Sequence, residues 1–178
     1  NGRVRIAAPS KMTLDTIRIY AISKLRWIKK QQTKILSQKR EAPREYLTKE
    51  SHFYLGKRYL LKVVELNAVP TVHLTHKNIE LYVRPNSSPE KRKEILENWY
   101  REQLRVLGTD LIAQWEETMK VKVKDLGIKK MKTKWGTCNE EAKRIWLNFE
   151  LIKKPIECVE YIVVHEMVHL KVRNHNNK

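Results

Sequence analysis

No apolar run in this chain of 178 residues approaches the roughly 20 residues that a helix needs to cross a bilayer, so no membrane span is predicted. Cysteine is scarce. Cys138 and Cys158 are too few for a disulfide framework, and they fit a reducing, cytoplasmic compartment. No signal peptide is legible at the first residue, and the ends, Asn1-Gly2-Arg3 and Asn176-Asn177-Lys178, read as cut. No internal repeat or low-complexity tract stands out, so the chain is not a repeat array. Negative charge is also short: 20 Asp/Glu face 37 Lys/Arg, a net +17. The shortage is uneven, with 16 Lys/Arg against 4 Asp/Glu over residues 1–62 and 21 against 16 over residues 63–178. Such a surface favours nucleic acid, nucleotides or an acidic protein, or else it is a solvated face that keeps the chain in solution.

What is present allows a core. Hydrophobic residues make up 41% of a length that suits one domain, or one domain with a small lobe. Val4 to Ala8 read as a strand stopped by Pro9, and Ser10 as the cap of a first helix. Ser23 starts a second, amphipathic helix whose Trp27 packs inward, and residues 37–51 read as a linker. Two hairpins follow, one turning at Gly56-Lys57 and one joining Thr71–Thr75 to Ile79–Val83. His52, His73 and His76 fall among these strands without ligand spacing and read as ordinary surface or strand histidines. Ser88-Pro89-Glu90 starts a long helix with an apolar stripe from Ile95 to Met119, and Gly108 within it marks a close packing contact. Ile128 to Cys138 is lysine-rich and extended, Asn139 to Lys143 turns, and Arg144 to Phe149 returns as a strand.

Chemistry concentrates in Cys158 to Leu170, which reads as a helix with a body over residues 155–173. Helical residues four apart lie about 40° apart in azimuth and about 6 Å apart along the axis. His165 and His169 therefore share a face and can aim both imidazoles at one ion, which tetrahedral zinc accepts at about 2.0–2.1 Å. Glu166 lies beside that site, where a general base for an activated water belongs. Catalytic zinc usually takes three protein ligands, and His175 is the third candidate. On a continued helix it would sit about 15 Å of rise from His165, so the chain must first turn back, and Asn174 suits that turn. The spacing His-Glu-x-x-His-x5-His equals that of the metzincin signature, whose glycine falls here at Val172. The competing reading is a pair of hydrogen-bonded core histidines. The apolar flanks weigh against it, because two histidines and a glutamate are costly there without a partner.

Met131-Lys132-Thr133-Lys134-Trp135-Gly136-Thr137-Cys138-Asn139, Ile145-x-Leu147-Asn148, Lys154-Pro155-x-Glu157-Cys158, Val164 to Leu170 and Arg173-Asn174-His175-Asn176 resemble the YgjP-like family. These are predicted zinc metallopeptidases of bacteria and archaea, related in style to SprT-like proteins. Trp27-Ile28 and the hairpin from Phe53 to Tyr59 fit the family too, so the resemblance covers essentially the whole chain. Members normally continue past the third histidine with a further helical segment. The resemblance implies an α+β, minimal zincin-like fold: a small, mostly antiparallel sheet packed on the HExxH helix, with a basic strand/helix lobe before it. Residues 1–50 are read as the basic strand-helix-helix segment and residues 51–178 as the metallohydrolase core, the two together forming one YgjP-like domain. The resemblance also implies one zinc ion held by His165, His169 and His175, with Glu166 as base.

The preferred function is a zinc-dependent hydrolase, a peptidase acting on a peptide or protein through a zinc-activated water. By analogy with zincins, Lys134, Trp135, Gly136, Thr137 and Cys138 form the edge strand that holds an extended substrate, with Gly136 allowing close approach. Cys138 is a further ligand, a redox gate or a packed thiol. An alternative is a nucleotide pyrophosphatase in which Lys132, Lys134 and Arg144 neutralise phosphate. Another is a non-catalytic, metal-stapled module that grips nucleic acid through the basic lobe.

Overall fold

The structure, a computed structural model, describes residues 3–37 and 44–171. The chain divides into two units, Asn1–Pro43 and Arg44–Lys178. The first carries helices α1 (Leu14–Ser23) and α2 (Leu25–Ser37), neither with a buried residue. Its helix cap is Thr13, whose hydroxyl accepts from the Thr16 amide, and not the expected Ser10. The strand expected over Val4–Ala8 does not form, since no ladder is present there to pair its backbone.

The second unit is α+β. Strands β1 (Ser51–Tyr54), β2 (Lys57–Glu65), β3 (Thr71–Leu74) and β4 (Asn78–Val83) form a sheet in the order β1-β2-β4-β3. Both expected hairpins are there, β1 with β2 and β3 with β4, each antiparallel. The first turns at Leu55 and Gly56, one residue before the expected Gly56-Lys57, at φ 45° and 78°, a left-handed pair that suits a two-residue hairpin. The second hairpin brings β4 back alongside β2 in parallel.

Ser88 caps α3 (Pro89–Met119), its hydroxyl accepting from the Lys91 amide. Leu96, Tyr100, Leu104, Gly108, Leu111 and Ile112 recur at helical spacing and are buried. Gly108 is a close contact as expected: a Cβ there would stand 2.9 Å from Leu126 Cδ2 and 3.3 Å from Leu147 Cδ1. Both leucines belong to a second sheet, β5 (Asp125–Lys129), β6 (Gly136–Asn139) and β7 (Arg144–Asn148), ordered β5-β7-β6. β7 pairs in parallel with β5 and antiparallel with β6, so β6 stands at the edge. A 3-10 helix, Phe149–Lys153, leads into α4 (Ile156–Val168). The sheet predicted as one is thus two, and three of the five strand pairings are antiparallel.

α4 buries Val159, Val163, Glu166 and Met167 on its inner face. The first hairpin braces its start: the Leu55 amide donates to the Ile152 carbonyl at 2.8 Å, and a Cβ on Gly56 would stand 2.9 Å from Pro155 Cγ. The helix ends at Val168, well before the predicted residue 173. Amides of Leu170 and Lys171 turn back three residues, to Met167 and Val168, and tighten the last turn. Among the described residues no helix is long and apolar enough to cross a membrane.

Candidate metal centre

His165 and His169 lie one turn apart at the C-terminal end of α4, where rigid helical spacing sets their separation. Their ring centres are 5.1 Å apart and the rings nearly perpendicular, at 86°. Two imidazoles that share one tetrahedral zinc at about 2.0–2.1 Å have ring centres about 5 Å apart, so this pair suits a shared ion. Between them in sequence, Glu166 turns towards the sheet and is 6% exposed. Among the described residues no three His, Cys, Asp or Glu side chains form a complete metal-holding group. The expected third ligand, His175, and the expected turn at Asn174 lie outside the described residues.

Glu166 meets β6 at Gly136. A Cβ on Gly136 would stand 2.7 Å from both Cγ and Oε1 of Glu166, and 2.9 Å from Cγ2 of Ile162. Any side chain there would push the carboxylate aside. The close approach that this glycine permits within the fold is with α4. Glycine is the signal at this position, and only the packing shows which neighbour it admits.

A cleft of about 500 Å³ opens where β6 meets α4. Lys134, Trp135, Gly136, Thr137 and Cys138 line it together with His165, Glu166 and His169, so the expected strand residues and the helical trio come together. The lysine-rich segment is not one strand, however. β5 ends at Lys129, and the chain loops before β6 begins at Gly136, leaving Lys134 and Trp135 on the loop. Arg144 is not among the cleft residues. It lies on β7 with Nε donating to Asp125 Oδ2 at 2.6 Å. Burial first, then the charges of Glu166 and Glu140, push the Cys138 thiol up to about 11, so it stays protonated at neutral pH. That favours the packed-thiol reading over the redox gate.

One residue shapes the loop from beneath. Asn148 is buried, and its side-chain amide donates to the carbonyls of Met131 at 3.0 Å and Lys134 at 2.8 Å. Its backbone amide donates to the Trp135 carbonyl at 2.8 Å. Sequence reasoning gave Asn148 no role. A strand-end asparagine before a lysine-rich loop carries no periodic signal, although its place within the family motif was visible.

An α+β unit whose inner helix presents a His-Glu-x-x-His face beside an edge strand defines a metallopeptidase-like class of domain. The comparison with families agrees, matching the YgjP-like metallopeptidase domain over residues 1–178, and the chain belongs to the YgjP-like family. No curated protein matches it. Among solved structures it is similar to the metallopeptidase zymogen of Methanocaldococcus jannaschii jannalysin, at 21% identity and a TM-score of 0.34. That similarity covers 42% of this chain and 65% of the other, so the chain spans just under two-thirds of that structure.

Proposed function

We propose that the chain is a zinc-dependent peptidase with Glu166 as its general base. The carrying observation is the 5.1 Å pairing of His165 and His169 beside a buried Glu166, which an edge glycine packs in place. These donors fit zinc, and His165, His169 and His175 would hold it. When bound, zinc supplies Lewis acidity, lowering the pKa of a water and polarising a carbonyl. Glu166 accepts the proton of the attacking water and returns it to the leaving amine. Gly136 leaves room for the Glu166 side chain against β6, which favours the held position that a base needs for proton transfer. β6 offers its outer edge to an extended peptide, which adds to the sheet as a further strand.

The charge of the cleft favours an amide over a polyphosphate. Its lining carries Lys134 against Glu140 and Glu166, and Arg144 is engaged with Asp125 outside it. A site for phosphoanhydrides needs converging cations. The two free cysteines suit a reducing, cytoplasmic setting. The test is a side-by-side assay of casein and a nucleoside triphosphate on metal-stripped and zinc-restored protein. Casein digestion that disappears with chelator and returns with zinc is expected, with the triphosphate intact. Triphosphate hydrolysis with casein untouched would overturn the reading.

A further inference from the structure

The metal cleft does not end at His165. A second hollow of about 400 Å³ adjoins it, lined by Trp135, Leu151, Cys158, Tyr161 and Ile162, with the charged Lys154 and Glu157 also in its wall. Trp135 and Ile162 line both spaces, so the two share a wall. The helix sets the register between them. Cys158, Tyr161, Ile162 and His165 recur at spacings of three and four, so the hollow lies about one turn, some 5 Å, before the first imidazole on the same face. Tyr161 links the two directly, its ring 6.1 Å from that of His165 and tilted by 28°.

The hollow is apolar and largely built. Leu151 forms part of the core. The backbone of Trp135 is fixed by Asn148, and the Lys154 ammonium lies 5.6 Å from the centre of its ring. Yet Trp135 remains 45% exposed and Tyr161 68% exposed, two large aromatics left to water at the mouth of a polar cleft. Apolar surface of this kind beside a candidate reaction centre calls for an apolar partner.

We propose that the hollow is a side-chain subsite for a large apolar residue, aromatic by preference, flanking the bond that a peptide presents at the cleft. The proposal rests on the peptidase reading. A peptide added along β6 advances about 3.3 Å per residue, so a residue next to the cleaved bond lies within reach of a hollow some 5 Å away. An aromatic side chain buries about 150–250 Å² and is held by Trp135 and Tyr161 through edge and face contacts. Trp135 and Tyr161 are then specificity-determining residues, and His165 and Glu166 are the same for every peptide.

The test maps cleavage sites in casein by mass spectrometry, using the zinc-loaded full chain. Phe, Tyr, Trp, Leu and Met should cluster on one fixed side of the cut bonds. Cys158→Phe places a ring in the hollow from an exposed position. It should lower the ratio of kcat/KM between a Phe peptide and its Ala counterpart roughly tenfold, the scale on which a hydrophobic pocket discriminates. Tyr161→Ala, which removes one wall, should lower the same ratio if the first variant does not fold. Cuts without residue preference, or a ratio unchanged in both variants, overturn the subsite. If the chain cuts no protein at all, the peptidase reading falls by itself, and binding then decides the hollow. N-acetylphenylalanine amide should bind the native chain and bind Cys158→Phe at least tenfold more weakly, and equal binding overturns the proposal.

Discussion

Two histidine–glutamate groupings among the described residues of the second unit are built in opposite ways. At the start of the first sheet, His52 is 2% exposed, with Nε2 3.1 Å from Glu50 Oε1 but poorly aligned for a hydrogen bond. Arg44 Nη1 donates to its Nδ1 at 3.1 Å, and Glu50 Oε2 accepts from the Tyr46 amide at 2.7 Å. Burial first, and the Arg44 guanidinium second, pull the His52 ring down to about 4. Here the arginine and the backbone occupy the partners that a ligand would need. At the end of α4, by contrast, His165 and His169 are half-buried and border an open cleft, with Glu166 held on glycine. The same residue types make a clamp where neighbours close around them and a candidate reaction centre where a cleft stays open. Residue type alone does not separate the two. Enclosure does.

The largest effect should come from Glu166→Gln, which keeps shape but cannot take the proton. Turnover on casein should fall by at least about 100-fold, the usual scale of a lost general base, with zinc content near that of the native chain. Loss of zinc would make Glu166 a ligand instead. Next in size, Gly136→Ala forces a methyl into the Glu166 side chain. Because a misplaced base is costly, activity should drop between about ten- and a hundredfold, with retained secondary structure by circular dichroism. Native activity in this variant would mean that the carboxylate position is not set by β6.

The clamp should leave turnover unchanged, and its effect appears in stability alone. The folded His52 ring stays neutral down to about pH 4, whereas the unfolded ring protonates near 6.5. The unfolded chain therefore binds the extra proton between those values. The stabilisation is complete above pH 6.5 and is lost as pH falls towards 4, by up to about 3 kcal/mol. Thermal unfolding from pH 7 to 4 should show a steeper decline for the native chain than for His52→Gln. Parallel declines would assign the acid sensitivity elsewhere.

Local patterns made much of this fold legible. The Ser88 cap, the α3 stripe and both hairpins rest on contacts a few residues apart, and each is present. The His165–His169 face is likewise a matter of helical spacing. What the sequence hid depends on distant partners. The parallel pairings of β2 with β4 and β5 with β7 join segments with no short turn between them. Arg144 reads as a phosphate contact until Asp125 is seen beside it. His52 reads as an ordinary strand histidine because its burial is decided by Arg44 and the surrounding core. Asn148 organises the loop of Lys134 and Trp135 through carbonyls 14 and 17 residues away, a range that no periodicity reports.

The most direct test of the contrast between clamp and open site is zinc stoichiometry, measured by elemental analysis on the purified native chain, His165→Ala, His169→Ala and His52→Gln. The native chain and His52→Gln should each hold about one equivalent, as a single three-ligand site requires, and the two α4 variants should hold little or none. Zinc retained at native stoichiometry in His165→Ala and His169→Ala, or lost in His52→Gln alone, would contradict the assignment of the metal to α4.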